Sequence, residues 1–494
     1  MFKALFSLKE KLSSPSNQRA LDWLKKNIIA GEGIIVSSKK RYCYPEVTGY
    51  IIPTLYQCGE KELAGDLADW LVRRQNGDGS FSAPDGTPYT FDTGQVMRGF
   101  VAVLDDLPQL VEPLKKGCDW ILTQVRPEGR LDTPSTKMWG SIADDRIHLY
   151  VLSPLLEAGE KLGEQKYINA ACKVLEYYSG REGLIDFNTL SHFYAYIIEA
   201  LCDLRRTDLA KTAMEQVAGL QRKDGSVPAY KEKGWVCLPG LAQFAVIWYK
   251  LGVFAPADKA MAYLEKHQNK NGGFNGSRGR GANYFPKEEI SWGAKFFLDA
   301  YSLKIRAAFD REVDRFSDAI DENDGRVREI LDFMGGLDKK RVLDVGCGKG
   351  RFLRVLKSRS PQSDLHGLDI SEEMLAFCPE GTKCVSGSIL DIKYPDRYFD
   401  AVYCVETLEH AVNTEKAVQE MARVLKPGGK MLIIDKNIEK RGKMRVEAWE
   451  RWFKAEDVMD LLKKHGVTAQ HKPIAYGKRS APDGLFIAWE GVKE

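Results

Sequence analysis

Three glycines alternate with other residues in the string "RVLDVGCGKGRFL": Gly346, Gly348 and Gly350, directly after a short apolar run that contains Asp344. Glycine at such positions permits a tight turn and lets a ligand approach bare backbone at a helix N-terminus, where N–H groups lack partners. Nineteen residues past Gly350, Asp369 closes a second apolar run, "LHGLDIS". A carboxylate so placed accepts hydrogen bonds from the two hydroxyls of a ribose. The spacing is G-x-G-x-G, not the G-x-G-x-x-G of the dinucleotide fingerprint. Further on, "FDAVYCVETLEH" ends in Glu406, Glu409 and His410. An imidazole or carboxylate at such a strand end is a candidate general base for an oxygen acceptor, His410 first and Glu409 second.

The elements that must position these groups alternate. Arg341–Val345, the run ending at Asp369, "CVSGSILDI", "FDAVYCV", "MLIID" and "GLFIAWEGV" read as strands, with helical stretches between them. Alternation of this kind predicts a doubly wound parallel sheet. Over about residues 310–494 these words together resemble the class I S-adenosylmethionine-dependent methyltransferases, in the flavour of the quinone-biosynthesis enzymes through "VETLEH" and "RVLKPGG". The resemblance implies a Rossmann-like domain with a mostly parallel seven-stranded sheet and S-adenosylmethionine as cofactor. Gly346, Gly348 and Gly350 would then admit its methionine portion, with Asp344 near the ammonium. Asp369 would hold the ribose, and Ile370 would pack on the adenine. Ser388 and Ile389 stand where family members often carry Asp-Ala, and Glu406 begins the segment lining the sulfonium and acceptor side. After the fifth strand comes "DKNIEKRGKMR", with Lys436, Lys440, Arg441, Lys443 and Arg445. It reads either as a solvated basic loop or as a clamp for an anionic acceptor.

Upstream a different grammar rules. "QNGDGSF", "VRPEGRL", "GREGLID", "QRKDGSV" and "QNKNGGF" repeat an acid or Asn before a glycine, and "AGEGIIV" opens the series. The glycines Gly33, Gly79, Gly129, Gly183, Gly225 and Gly272 recur at about 48 residues, a period that signals a repeat architecture. The words are turn chemistry rather than a catalytic motif. Between them run alternately amphipathic helices, such as "EPLKKGCDWILTQV", and helices apolar nearly all round, such as "DTGQVMRGFVAVL". This resembles the α/α toroids, the group that includes squalene cyclases, protein prenyltransferases and many glycan-active enzymes. "QNGDGSF" and "QRKDGSV" look like the cyclases' Gln-aromatic motif. The resemblance implies an (α/α)6 ring with a pocket where the inner helices begin. Candidate substrate residues there are Glu46, Asp92, Trp139, Asp144, Asp145, His192 and Trp292, accompanied by Tyr44, Thr48, Phe91, Gln95, Arg146, His148, Tyr194, Tyr196, Trp235, Gln243, Glu289 and Lys295. Aromatics mixed with acids and amides suit a sugar. No D-x-D-D string supports terpenoid cyclisation.

The chain is thus expected to be multidomain: an all-α toroid at 1–305, a helical connector at 306–338 and a methyltransferase domain at 339–494. The 494 residues carry a net charge of +3 with nearly balanced acids and bases, which gives no electrostatic case for nucleic acid. Ten cysteines without a C-x-x-C pair predict buried thiols in a reducing, cytoplasmic setting and no metal site. No run is long enough to span a membrane, although "MFKALFSLKEKLSS" is amphipathic enough for peripheral membrane contact. The expected activity is methyl transfer to a hydroxyl of a carbohydrate or glycoconjugate. The alternative is a bifunctional isoprenoid or quinone tailoring enzyme whose ring holds an apolar substrate, and a third option is a non-catalytic binder. The oligomeric state is left open.

Overall fold

The computed structural model describes residues 15–133, 145–444, 446–477 and 481–494. The amphipathic start, Trp139 and Asp144 lie outside the described residues. The chain divides into two units, Met1–Lys304 and Ile305–Glu494.

The first unit is helical. Among the described residues its α-helices follow one another as six pairs: α1 (Ser16–Lys26) with α2 (Pro45–Gln57), α3 (Lys61–Arg74) with α4 (Thr90–Val103), α5 (Val111–Thr123) with α6 (Leu149–Leu162), α7 (Gln165–Ser179) with α8 (Ser191–Asp203), α9 (Thr207–Gly219) with α10 (Leu238–Lys250), and α11 (Phe254–His267) with α12 (Ser291–Arg311), which runs past the division. The first member of a pair buries one stripe; α5 buries Leu114, Gly117, Cys118, Trp120 and Ile121. The second is buried almost all round, as α4 and α10 are. A helix apolar on every side must sit inside others. Accordingly α2, α4, α6, α8 and α10 pack in succession. Gly49 and Gly99 let the α2 and α4 backbones touch: a Cβ on Gly99 would lie 2.5 Å from the Gly49 carbonyl oxygen. α12 returns to α2, where Thr54 Oγ1 donates to Asp299 Oδ1 at 2.7 Å and the Tyr50 and Phe296 rings stack at 6.1 Å.

The repeated words do structural work. Asp78 Oδ1 accepts from the N–H (3.0 Å) and hydroxyl (2.6 Å) of Ser80, and Asp224 does the same for Ser226 at 3.0 and 2.7 Å. The glutamine that opens three of the words ties its own turn to the first turn of another helix. Gln75 Nε2 donates to Gly79 O and Pro113 O (both 2.9 Å), and Gln221 Nε2 to Gly225 O (3.1 Å) and Pro256 O (2.9 Å). Gln268 Nε2 donates to Gly272 O (3.0 Å) and Ser16 O (2.8 Å), so the last word grips the first helix. In "AGEGIIV" the left-handed residue is Gly31 rather than Gly33; Gly33 is needed because a Cβ there would stand 2.4 Å from Thr48 Oγ1. Cys172 is exposed on α7, against the expectation of burial, since it falls on the outer stripe of an amphipathic helix. Two short strands, β1 (Val236–Cys237) and β2 (Ser277–Arg278), pair antiparallel between helices.

The second unit holds a seven-stranded sheet in the order β5-β4-β3-β6-β7-β9-β8. The strands are β3 (Arg341–Val345), β4 (Asp364–Asp369), β5 (Lys383–Ser386), β6 (Phe399–Val405), β7 (Leu425–Lys436), β8 (Val467–Ile474) and β9 (Phe486–Lys493). β5 through β7 are parallel, and β9 is antiparallel to both its neighbours. Helices α13 (Gly325–Met334), α14 (Arg351–Arg359), α15 (Glu372–Leu375), α16 (Thr414–Val424) and α17 (Ala455–Lys464) complete it. Two apolar layers result, one around Val418, Met421, Leu462 and Trp489, the other around Val327, Ile330, Leu353 and Leu356. Burying each such side chain contributes about 1.5–3 kcal/mol. The "KPGG" segment is a bulge inside β7, where pairing jumps from Phe399–Leu425 to Ala401–Lys430. β8 has no counterpart in the sequence reading, because as a polar edge strand it lacks hydrophobic alternation.

Candidate functional site

Strand order places the crevice of the second unit at the carboxyl ends of β3, β4 and β6, since the connections leave β3 in opposite directions. The glycine loop folds back there: the amides of Gly346 and Cys347 both donate to Leu368 O, at 2.7 and 3.1 Å. Gly346, Gly348 and Gly350 all have positive φ (75°, 52° and 70°). Their surroundings differ. A Cβ on Gly346 would lie 2.2 Å from Thr407 Oγ1, and one on Gly350 2.7 Å from Pro379 Cδ. One on Gly348 would meet nothing within 4 Å. Gly348 is therefore the glycine that faces open space.

Asp369 binds that loop. Its Oδ2 accepts from Gly348 N at 2.8 Å and its Oδ1 from Ser371 N at 2.9 Å. Burial raises its pKa, opposed by these amides. Each oxygen keeps a lone pair for a further donor. Asp344 is 1% exposed, burial holds its carboxyl well above the usual range, and its Oδ2 has no hydrogen-bond partner among the described residues. An orphaned buried carboxylate oxygen costs about 1–3 kcal/mol or more. An ammonium group would satisfy it, so the loop fits the cofactor that the resemblance implies. Ile370 is half-buried and its carbonyl accepts from Arg306 Nε at 2.9 Å. Ser388 Oγ accepts from Leu390 N at 3.1 Å, and Ile389 packs on the core.

The strand-end acids behave differently from one another. Glu406 sits at φ 52° directly after β6, a costly conformation for a residue with a Cβ. Its carboxylate is paired with Arg326, which also holds Asp324 at 2.8 Å. Glu409 is 1% exposed, accepts from Lys436 Nζ at 2.7 Å, and has Glu450 nearby through the same lysine (3.8 Å). His410 Nε2 lies 3.5 Å from Glu409 Oε1, its ring meets Phe309 edge-on at 5.1 Å, and its Nδ1 is unpartnered among the described residues. Burial, and then the charge of Lys436, push the His410 imidazole down to about 3. Burial pushes Asp435, which accepts from Glu409 N at 3.0 Å, up to about 7. Lys436 supplies the positive charge this carboxylate group needs, so it is not free to clamp an acceptor. The arginine and aspartate partners Arg326, Asp435, Arg306 and Asp310 (which accepts from Ser371 Oγ at 2.6 Å) were not legible from motif spacing.

The first unit gathers a second set. Glu46, Phe91, Tyr150, His192 and Trp292 are each the second residue of an inner helix: α2, α4, α6, α8 and α12. Tyr150 and Tyr196 rings lie 4.6 Å apart, Phe91 and Tyr196 5.1 Å, His192 and Tyr196 4.6 Å, and His192 stacks on Trp292 at 6.4 Å with 11° between planes. Asp92 is buried and accepts from the Tyr44 hydroxyl rather than capping α4. Burial pushes Asp92 up to about 7; burial and then the Asp92 charge hold Glu46 well above the usual range. His192 Nδ1 meets Gln243 Oε1 at 2.5 Å and burial takes its pKa down to about 3. Gln95 Nε2 and Gln243 Nε2 are buried donors with no partner among the described residues. Asp145 does not join them: it pairs with Arg181 at 2.8 Å. Glu289 also stands apart, bracing a turn by accepting from Trp23 Nε1 at 2.9 Å and Asn269 Nδ2 at 2.7 Å.

Comparison with known proteins bears on the second unit. The family described as "Methyltransferase domain" matches residues 343–433. The chain is 34% identical over 136 residues to the fatty-acid O-methyltransferase of Mycolicibacterium smegmatis, covering 26% of this chain and 48% of that protein. It is 37% identical over 103 residues to the demethylmenaquinone methyltransferase of Deinococcus radiodurans, covering 19% and 43%. The chain thus spans about half the length of these two relatives. It is 31% identical over 169 residues to the uncharacterized protein MJ1123 of Methanocaldococcus jannaschii, covering 32% of this chain and 80% of that protein. With the glycine loop, Asp369 and the seven-stranded sheet in place, the chain belongs to this methyltransferase family, its second unit being a class I domain whose cofactor is S-adenosylmethionine.

Proposed function

We propose that the chain methylates a hydroxyl of a carbohydrate or glycoconjugate, that its first unit is an (α/α)6 toroid binding this acceptor, and that the toroid and methyltransferase domain form one fused enzyme. S-adenosylmethionine supplies a methyl on a sulfonium, a good leaving group, so the protein must chiefly align the acceptor. Gly348 gives the cofactor backbone access, Asp344 takes its ammonium, and Asp369 its ribose, with Ile370, Ser388 and Ile389 beside the adenine. His410 accepts a hydrogen bond from the acceptor hydroxyl through its neutral ring. With a pKa near 3 it is a weak base, so it orients the hydroxyl, and the proton released as the O–CH3 bond forms and the S–CH3 bond breaks passes to solvent water. Glu409 and Lys436 hold His410 in place.

The observation that carries the acceptor class is the pair of buried amides, Gln95 and Gln243, whose Nε2 atoms have no partner among the described residues, Gln243 lying against the His192 ring that stacks on Trp292. Each orphaned donor costs about 1–3 kcal/mol; sugar hydroxyls would recover that cost while the C–H face stacks on Trp292 or Tyr196. The carboxyls of Glu46 and Asp92, both raised by burial, add further hydrogen-bonding groups. The second reading, an apolar lipid or quinone acceptor, is favoured by the names of the fatty-acid and demethylmenaquinone relatives. Tryptophan fluorescence titrations with oligosaccharides and with prenyl alcohols, on the full chain and on Trp292→Phe, separate the two. Saturable quenching by an oligosaccharide, lost in the variant, is expected. Quenching by the prenyl alcohol alone would overturn the carbohydrate reading.

A further inference from the structure

The glycine loop carries a chemistry that methyl transfer does not use. Cys347 stands between Gly346 and Gly348 and is 4% exposed. Cys378 follows α15 and Cys384 lies on β5; both are half-buried. The three Sγ atoms all lie within 4.8 Å of one another. The backbone is shaped around them: a Cβ on Gly367 would stand 2.7 Å from the Cys347 sulfur and 2.8 Å from the Cys384 sulfur. Sγ of Cys347 and of Cys378 approach the Gly348 carbonyl oxygen at 3.7 and 3.8 Å, and Thr382 Oγ1 lies 3.5 Å from Cys384 Sγ. Sulfurs bound to one tetrahedral zinc at about 2.3 Å sit roughly 3.8 Å apart, within the observed span.

We propose that Cys347, Cys378 and Cys384 form a three-thiolate site for a soft d10 cation, zinc(II). Sulfur-only ligation selects such ions over magnesium or calcium. No further His, Cys or carboxylate among the described residues joins the group, which leaves the fourth position of a zinc ion to water or an exogenous ligand. Three thiolates gathered in a half-buried place need a divalent charge more than a monovalent one, and binding releases their protons. Because the three sulfurs come from the glycine loop, the segment after α15, and β5, a bound ion would clamp the loop to the sheet. Sequence spacing does not announce the site, since 31 and 6 residues separate its members.

The reduced full chain, treated with chelator and desalted, is titrated with zinc(II) against a chromophoric chelator, and in parallel with cobalt(II). One zinc per chain, a sulfur-to-cobalt charge-transfer band, and an affinity lowered at least about a hundredfold in Cys378→Ser and in Cys384→Ser are expected. Cys172→Ser, on the exposed face of α7, should bind as the parent does. Should Cys347→Ser fail to fold, the two half-buried variants still decide the matter, with folding checked by circular dichroism. Equal zinc affinity in the parent and in both of these variants, or a cobalt spectrum without the charge-transfer band, would overturn the proposal.

Discussion

Gly348→Ala separates ligand access from loop stability. Gly346, Gly348 and Gly350 share a left-handed backbone, so alanine at any of them costs about 1–2 kcal/mol in strain. At Gly348 nothing is added to that cost, because a Cβ there meets no protein atom within 4 Å. In a unit of this size, 1–2 kcal/mol lowers Tm by roughly 2–8 °C. At Gly346 the same methyl would drive into Thr407 Oγ1 at 2.2 Å, and overpacking adds about 1–3 kcal/mol. If the open face of Gly348 is where the cofactor lies, its methyl collides with the ligand instead. A collision of about 1–3 kcal/mol weakens binding by roughly 5- to 150-fold. Calorimetric titration with S-adenosylhomocysteine, beside thermal melts, reads both quantities. Gly348→Ala should lose more affinity than stability, and Gly346→Ala should lose more stability than Gly348→Ala. Parental affinity in Gly348→Ala would refute the placement of the cofactor against this loop.

Three further outcomes are expected. Asp92 binds a proton more tightly in the folded chain (about 7) than an ordinary aspartate does, so its contribution to stability is full below about pH 4 and falls as pH rises toward 7; Asp92→Asn, whose amide oxygen still accepts from Tyr44, should be more stable than the parent above that window and equal to it below, by chemical denaturation. His410→Ala should lower kcat by about tenfold, the loss of one hydrogen bond, while cofactor affinity stays, and the parent's kcat profile should show no step in the ordinary imidazole range because His410 titrates near 3; a step there that vanishes in the variant would restore His410 as general base. Gln268→Ala should cost about 1–3 kcal/mol through the two carbonyls it leaves, on Gly272 and Ser16, without altering cofactor binding; loss of methyl transfer at unchanged stability would make the repeated word more than a turn.

What could be read in the sequence was what repeats or alternates. The glycine loop, Asp369 and most of the apolar strands are local in the chain and sit where their spacing put them, whereas "CVSGSILDI" is strand only as far as Ser386. The turn words were legible because an acid before a left-handed glycine is a local device. What they hold was not: the second bond of each glutamine crosses 35 to 252 residues. The pairing of Glu406 with Arg326 crosses 80 residues, and the cysteine trio is assembled by the sheet. β8 escaped because an edge strand has only one partner and no buried stripe. The partner of Asp145 was not legible either: Arg181, 36 residues on, pairs with it at 2.8 Å.

The most direct measurement is transfer of a labelled methyl group from S-adenosylmethionine into an extract of the source cell, split into polar glycan and apolar lipid fractions, with Asp369→Ala as control. Label in the glycan fraction, absent with the variant, is the result the account predicts. Label confined to the lipid fraction would contradict the acceptor class, and no label in either fraction would contradict methyl transfer itself.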